Sequence, residues 1–405
     1  PPAGNSIYYG FITTEMNLTV EHGTFDALTV LHWDTSGVPS TWIWRNSLAV
    51  NCGGTNSFSG TGCYNITGSG IFQTVGQGRH YLAGGSPYRN AGTNGIQGQL
   101  REDLRHRTTY PPIVLTGTVT LPTTLQPQAQ RDSDQPDVGY HLEPLDYLVS
   151  DLTVTNVPLT LTNGVVLGVH GAQGIQLIEG AQLISGGSPA RMNRLVRRGA
   201  IQEVPDIANT NAAALFNVNG WIQPRPTLNF RFTDFPALSG TAGQRAILPS
   251  TEYHPASAAT FRDCTFGGIV FSYYPQDTLG AVTIDLLNNV WDRCVFDGAK
   301  HVDANGTTDL TLTLRNNLFR GGSATFQYTG NAGASWIIKD NAFDQATLTL
   351  VTNGPTSGLL NRSHNGFLNY TGDTVTTDRG FTVVSTGGVR VNAATTTLEF
   401  TGNVV

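Results

Sequence analysis

The stretch LRNNLFRGG, residues 314–322, sets two consecutive asparagines between apolar residues and follows them at once with two glycines. An amide is wanted there by a backbone that turns sharply inward, leaving N–H and C=O groups that no strand reaches. Variants of the phrase recur as IKDNAF (338–343), RSHNGF (362–367) and, more loosely, FRDCTF (261–266) and WDRCVF (291–296). Aligned, they put Cys264, Cys294, Asn317, Asn341 and Asn365 in one column and Phe266, Phe296, Phe319, Phe343 and Phe367 in another. The intervals down the first column are 30, 23, 24 and 24 residues. A steady interval near two dozen marks a solenoid.

Within each copy the apolar residues alternate or run in short groups before the polar pair, as in DLTLTLRNNLF and SWIIKDNAF, which reads as strand, corner, strand. A coil of about 23 residues with three short strands is the period of a right-handed parallel β-helix, whereas a left-handed hexapeptide solenoid repeats near ~18. The expected fold is therefore all-β, a right-handed parallel β-helix with an irregular helix-containing insertion. Amides stacked coil on coil would satisfy the corner, where each unpaired buried group costs roughly 1–3 kcal/mol. The column just before the amides, Asp263, Arg293, Asn316, Asp340 and His364, suits a solvent-facing place. Cys264 and Cys294 would then lie on neighbouring coils, leaving open a disulfide or stacked thiols. With Cys52 and Cys63 they form an even set without a CxxC pair, a pattern that favours an oxidising, secreted setting over zinc.

Composition agrees. Of the 405 residues only 13% are charged, 47 are glycine and 39% are hydrophobic, which describes a turn-rich β protein and not a disordered one. A net charge of −6 gives no general attraction to nucleic acid or anionic lipid, so a polyanion would need a local patch. No stretch approaches the roughly 20 apolar residues of a spanning helix.

Along the chain, VEHGTF (20–25) and IWRNSL (43–48) place Gly23 and Asn46 in the amide column, so residues 1–75 read as terminal coils of a first module. Residues 76–145 break the rhythm as a turn-rich insertion; Ile96, Leu100 and Leu104 form one helical stripe there, ended by Pro111 and Pro112. Residues 146–405 read as a second β-helix module. Because strand-like sequence reaches both termini, the expectation is a window of a longer tandem protein.

GGSPYRNAGT (84–93), followed by PDVGYHLEP (136–144), resembles the closing signature of bacterial secreted right-handed β-helix proteins of the pectin-lyase-like superfold, in particular the anchor-bearing β-helix family. Ser86, Pro87, Ala91, Gly92, Pro136, Asp137, Gly139 and Glu143 carry the likeness. The resemblance implies an extracellular or surface-attached protein, and many such proteins are not enzymes.

Pectate lyases of this superfold hold Ca²⁺ on aspartates of successive coils and use an arginine as base. Asp263, Asp292 and Asp340, with Arg262, Arg293 and Lys339, are the residues here that could offer such a surface; as spaced they read more simply as solvated corners. The Asp-Asp, Gly-His-Gly and Arg-Ile-Lys stretches of polygalacturonase-like hydrolases do not occur. Asp132, Asp134 and Asp137 in DSDQPD offer hard oxygen ligands for Ca²⁺, against a plain hydrogen-bonded loop. Arg191, Arg194, Arg197 and Arg198 in ARMNRLVRR could grip acidic polysaccharide, against a solvated loop. Trp42 and Trp44 share one side of a strand and either fill the core or stack on sugars. No cofactor is implied. The expected function is a non-catalytic extracellular solenoid, a structural or adhesive component of a cell surface, matrix or fibre that could associate end to end. The alternatives are a polysaccharide lyase and a glycan-binding adhesin.

Overall fold

The structure, a computed structural model, describes residues 7–9, 15–34, 40–55, 58–203, 214–220, 222–236, 245–249, 256–272, 281–301, 310–328, 335–352 and the short strand segments 360–361, 366–367, 375–377 and 398–400. Asn365 and His364 lie outside them. Parallel sheets dominate: one of 17 strands and one of 9 run along the same stack. The chain is an all-β parallel solenoid, with a single α-helix, Gly98–Leu104, among the described residues. Of the expected helical stripe, Leu104 is buried.

The paired asparagines divide the work of one corner. The first of each pair takes a left-handed backbone, with φ of 58° at Asn288, 53° at Asn316, 55° at Asp263 and 59° at Asp340, a conformation that Asn and Asp tolerate best after glycine. These side chains face outward and still chain together, Asn316 Nδ2 donating to Asn288 Oδ1 and Asn288 Nδ2 to Asp263 Oδ1, both at 3.0 Å. The second asparagine points inward. The Asn289 backbone N–H donates to Asn317 Oδ1 at 3.0 Å, and that of Asn317 donates to Asn341 Oδ1 at 2.9 Å. The Cys264 N–H donates likewise to Asn289 Oδ1 at 2.9 Å. Each amide thus closes the corner of the coil before it.

This ladder corrects the sequence alignment. Its members are separated by 25, 28 and 24 residues, so Asn289, not Cys294, follows Cys264. The aromatic column changes with it. Phe266 pairs with Trp291, Trp291 with Phe319, and Phe319 with Phe343, with Phe367 next in register. Phe296 belongs to another column, between Phe271 and Ala324. Arg293 and Cys294 sit at a second left-handed corner of the same coil, beside Gly268, Gly321 and Gln345. All four cysteines are free thiols, Cys264 and Cys294 on different corners.

The core is a pile of rings. Phe235, Phe266, Trp291, Phe319 and Phe343 stack face to face with centroids 4.7, 3.9, 5.7 and 5.0 Å apart. Stacked rings come with in-register parallel strands, because identical positions repeat at the inter-strand spacing of about 4.8 Å.

The first coils are built alike. Met16–Glu21 pairs with Ser40–Arg45 and then Gly60–Thr61; Thr24–Asp26 pairs with Leu48–Val50 and then Tyr64–Ile66. Here Asn46 takes the left-handed corner beside His22, and Ser47 takes the inward place, accepting from the Gly23 N–H through Oγ at 3.0 Å. The expected Gly23–Asn46 column is therefore one residue out of step. An antiparallel hairpin, Phe72–Val75 with Gly78–Leu82, follows. The second stack takes its first strands from Ile113–Leu115, Thr118–Val119 and Thr123–Leu125, inside the segment read as insertion.

Candidate ligand-binding cleft

The hairpin does not stack as a further coil. It leans against the first coils and leaves a cleft of about 620 Å³, walled by Thr24, Phe25 and Asp26 on one side and Ile71, Phe72, Arg79 and His80 on the other. Phe25 is held by the core beneath, edge-on to Trp44 with centroids 5.8 Å apart. Phe72 meets the His80 ring edge-on at 5.0 Å.

His80 is the electrostatic centre of the cleft. Its Nδ1 lies 3.1 Å from Glu203 Oε2 and its Nε2 3.4 Å from Asp26 Oδ2. The hydrogen bond to Glu203, more than the partial burial that opposes it, raises the imidazole above its ordinary range. Burial works to raise Glu203, but the His80 contact and the Arg79 N–H hold its carboxyl below the usual carboxylate range. Glu203 reaches the hairpin from the second stack, and its neighbour fixes the joint. Gln202 Oε1 accepts from the Gln77 N–H at 2.8 Å, while its Nε2 donates to Val75 O at 2.9 Å and to the Tyr81 hydroxyl at 3.1 Å. The Arg79 side chain stays exposed at the rim. The cleft thus offers a guanidinium, an imidazole held between two carboxylates, and ring edges, a set that recognises hydroxyl- and carboxylate-bearing ligands.

The residues singled out from sequence have other surroundings. Trp44 is 1% exposed and belongs to the core, stacked on the half-buried Trp42 at 5.5 Å. Of the arginines, Arg191 is exposed, and Arg194 pairs with Asp234 at 3.4 Å and Glu143 at 3.7 Å. Arg197 is buried, which pushes its guanidinium down to about 10, and Arg198 opens a 3-10 turn with Nη1 3.2 Å from His170 Nδ1. The lyase-type carboxylates each meet arginine: Asp263 meets Arg231 (3.2 Å) and Arg262 (3.4 Å), Asp292 meets Arg320 (3.0 Å) and Arg293 (3.2 Å), and Asp340 meets Arg315 (3.7 Å). Asp263 and Asp340 share one corner column, whereas Asp292 lies in a strand between the two corners. Lys339 is in register with Arg315. Asp132 and Asp137 are buried together, while Asp134 is exposed outside them.

Asp26, Phe72, Arg79, His80 and Glu203 carry no local motif. His80 and Glu203 are 123 residues apart, and nothing in either neighbourhood points to the other.

A parallel β-solenoid with a polar cleft beside its first coils is thus the class of molecule. No family model matches the chain. A 66-residue stretch, 16% of the chain, is 47% identical to the adhesin BmaC, an autotransporter of Brucella suis biovar 1 (strain 1330), and spans 2% of that protein. Among solved structures, a mutant of the PL6-family alginate lyase AlyGC aligns over 87% of this chain and 58% of its own, with a TM-score of 0.36 and 14% identity.

Proposed function

We propose that the chain is a segment of a bacterial cell-surface adhesin: a right-handed β-helix whose coils are scaffold and whose cleft at Phe25, Asp26, Phe72, Arg79 and His80 binds glycans carrying carboxylate or sulfate groups. The observation that carries the adhesive reading is the 66-residue likeness, at 47% identity, to an autotransporter adhesin. The parallel solenoid supports it, since stiff stacked coils suit a surface stalk. The cleft supports the ligand class, because Arg79 and His80, whose imidazole Glu203 raises above its ordinary range, face the same opening as two aromatic rings. A lyase reading has less support, since the aspartates it would use are already neutralised by arginine.

The test is glycan-array binding followed by titration calorimetry on the best acidic oligosaccharide. Arg79→Ala should weaken binding roughly 10- to 100-fold, the size of a charge-assisted hydrogen bond of about 1.5–3 kcal/mol. Arg191→Ala, remote from the cleft, should leave it unchanged. Binding indifferent to Arg79→Ala and Phe72→Ala would sink the cleft assignment, and release of unsaturated oligosaccharides would replace adhesion with a lyase.

A further inference from the structure

Away from the cleft, the loop between strands Thr123–Leu125 and Tyr147–Thr155 gathers three ligating side chains. Asp132, Asp137 and His141 are all buried and each brings one ligand atom within 4.8 Å of the others. The side chains of His141 and Asp132 are 0% and 1% exposed.

The hydrogen bonds around His141 define its chemistry. Its Nδ1 lies 2.9 Å from the Gly139 carbonyl oxygen, which can only accept, so Nδ1 carries a proton. A neutral ring then turns the lone pair of Nε2 toward Asp132 Oδ2, 2.6 Å away. Two lone pairs cannot face one another at that distance unless a positive centre lies between them. A second ring proton fills that gap as it stands, whereas an ion bound about 2.0–2.2 Å from each atom requires Nε2 and Oδ2 to part to roughly 3.3 Å.

Two observations favour the cation. Asp132 Oδ1 is buried and accepts no hydrogen bond, so a carboxylate in a sealed place keeps an unused ligand atom. Asp137 adds a second carboxylate to the same enclosed volume, so one ring proton would leave two buried negative charges facing one positive.

We propose that Asp132, Asp137 and His141 bind one divalent transition-metal ion of the zinc class, through His141 Nε2 and one oxygen from each carboxylate. An imidazole with two carboxylates is a nitrogen–oxygen set suited to Zn²⁺, whereas Ca²⁺ asks for six to eight oxygens. The Gly139 carbonyl on Nδ1 is the outer contact that orients a metal-binding histidine. Such a site closes the loop onto the first coils. Asp137 also accepts from the Asn90 N–H at 2.7 Å and from the Thr109 hydroxyl, and the Gly139 N–H donates to Asn46 O at 2.8 Å. One ion would therefore pin the segments around residues 90, 109 and 132–141 to the corner at Asn46.

The test uses the full chain, stripped with a chelator, dialysed against Zn²⁺ and then against metal-free buffer, with elemental analysis and thermal melts. One equivalent of zinc should be retained, with Tm raised by Zn²⁺, lowered again by chelator, and indifferent to Ca²⁺. His141→Gln and Asp132→Asn should weaken zinc binding by more than the roughly 10- to 100-fold typical of losing an outer contact. Asp134→Asn, exposed beside the cluster, should leave it intact. Circular dichroism separates lost binding from lost folding in the variants. A natively folded wild-type chain that retains no zinc, with Tm indifferent to zinc and chelator, would overturn the proposal and leave a buried histidine–aspartate ion pair.

Discussion

Replacing Asn317 with alanine tests the corner ladder at its most connected rung. Asn317 is 2% exposed. Its Oδ1 accepts from both the N–H and the Nδ2 of Asn289 at 3.0 Å, and its Nδ2 donates to Leu286 O at 2.9 Å, Arg315 O at 3.0 Å and Asn341 Oδ1 at 3.0 Å. Three of these five contacts have a substitute. Asn289 Nδ2 keeps Phe261 O, Arg315 O keeps the Asn288 N–H, and Asn341 Oδ1 keeps the Asn317 N–H. The Asn289 N–H loses Asn317 Oδ1, and Leu286 O loses the amide that serves it at the corner. At about 1–3 kcal/mol for each buried group left short, the substitution should cost about 2–6 kcal/mol. Asn316→Gly is the internal control: one residue away, exposed and at φ 53°, it should change stability by roughly 1 kcal/mol or less. Urea unfolding followed by the fluorescence of the buried Trp291 and Trp336 measures both. Hydrogen exchange at the Asn289 amide localises the effect, since stacked coils need not unfold in one step. Equal effects of the two substitutions, or an Asn317→Ala cost below about 1 kcal/mol, would refute the reasoning.

Asp146→Ala should cost about 3–5 kcal/mol in the same denaturation assay, because a fully buried carboxylate accepts from the Gln128, Ala129 and Val166 N–H groups and from Arg131 at 2.6 and 3.1 Å. Trp291→Ala should cost a similar ~3–5 kcal/mol, since the ring is sealed between Phe266 and Phe319; its buried volume, not a hydrogen bond, sets the effect. The His80–Glu203 pair predicts a pH signature. His80 is raised by Glu203, so its contribution is complete below the unfolded histidine value near ~6.5 and fades as pH climbs through the higher folded value. Glu203 is lowered, so its share is complete above the unfolded glutamate value near ~4.3 and fades as pH falls through the lower folded value. The Tm difference between wild type and His80→Gln should therefore be greatest between about pH 4.5 and 6.5 and should shrink in alkali; a difference that keeps growing above about pH 6.5 would contradict the pairing.

The solenoid was legible because a corner amide is a local necessity that recurs: Asn317 and Asn341 announce themselves by an aromatic residue two places on. The register at 261–296 was not, for a geometric reason. Each coil between residues 263 and 345 carries two left-handed corners, and at Asp263 and Arg293 both are written as a charged residue, a buried cysteine and a strand. Asp263-Cys264-Thr265-Phe266 and Arg293-Cys294-Val295-Phe296 therefore look alike, although they belong to different corners. Asn289, with Trp291 in place of phenylalanine, hid the true copy. At Asn46 the slip is a single residue, because Ser47 does inward the work an amide does elsewhere. The acidic loop is visible in the sequence as Asp132 and Asp137, but nothing there sets its third member, His141, apart from its neighbours in PDVGYHLEP. The cleft could not be read at all, since it depends on the hairpin packing against Glu203.

The coil-to-coil register is the claim on which the core, the corners and the surface charge rows all depend, and directed cross-linking tests it. Asn288 and Asn316 are neighbours on adjacent coils, their side chains 3.0 Å apart, whereas the alignment by phrase alone would set Arg293 beside Asn316. Under mild oxidation, Asn288→Cys combined with Asn316→Cys should give a disulfide between positions 288 and 316, identified by peptide mass spectrometry. Arg293→Cys combined with Asn316→Cys should stay reduced. Cross-linking of 293 to 316, with 288 and 316 left as free thiols, would contradict the account.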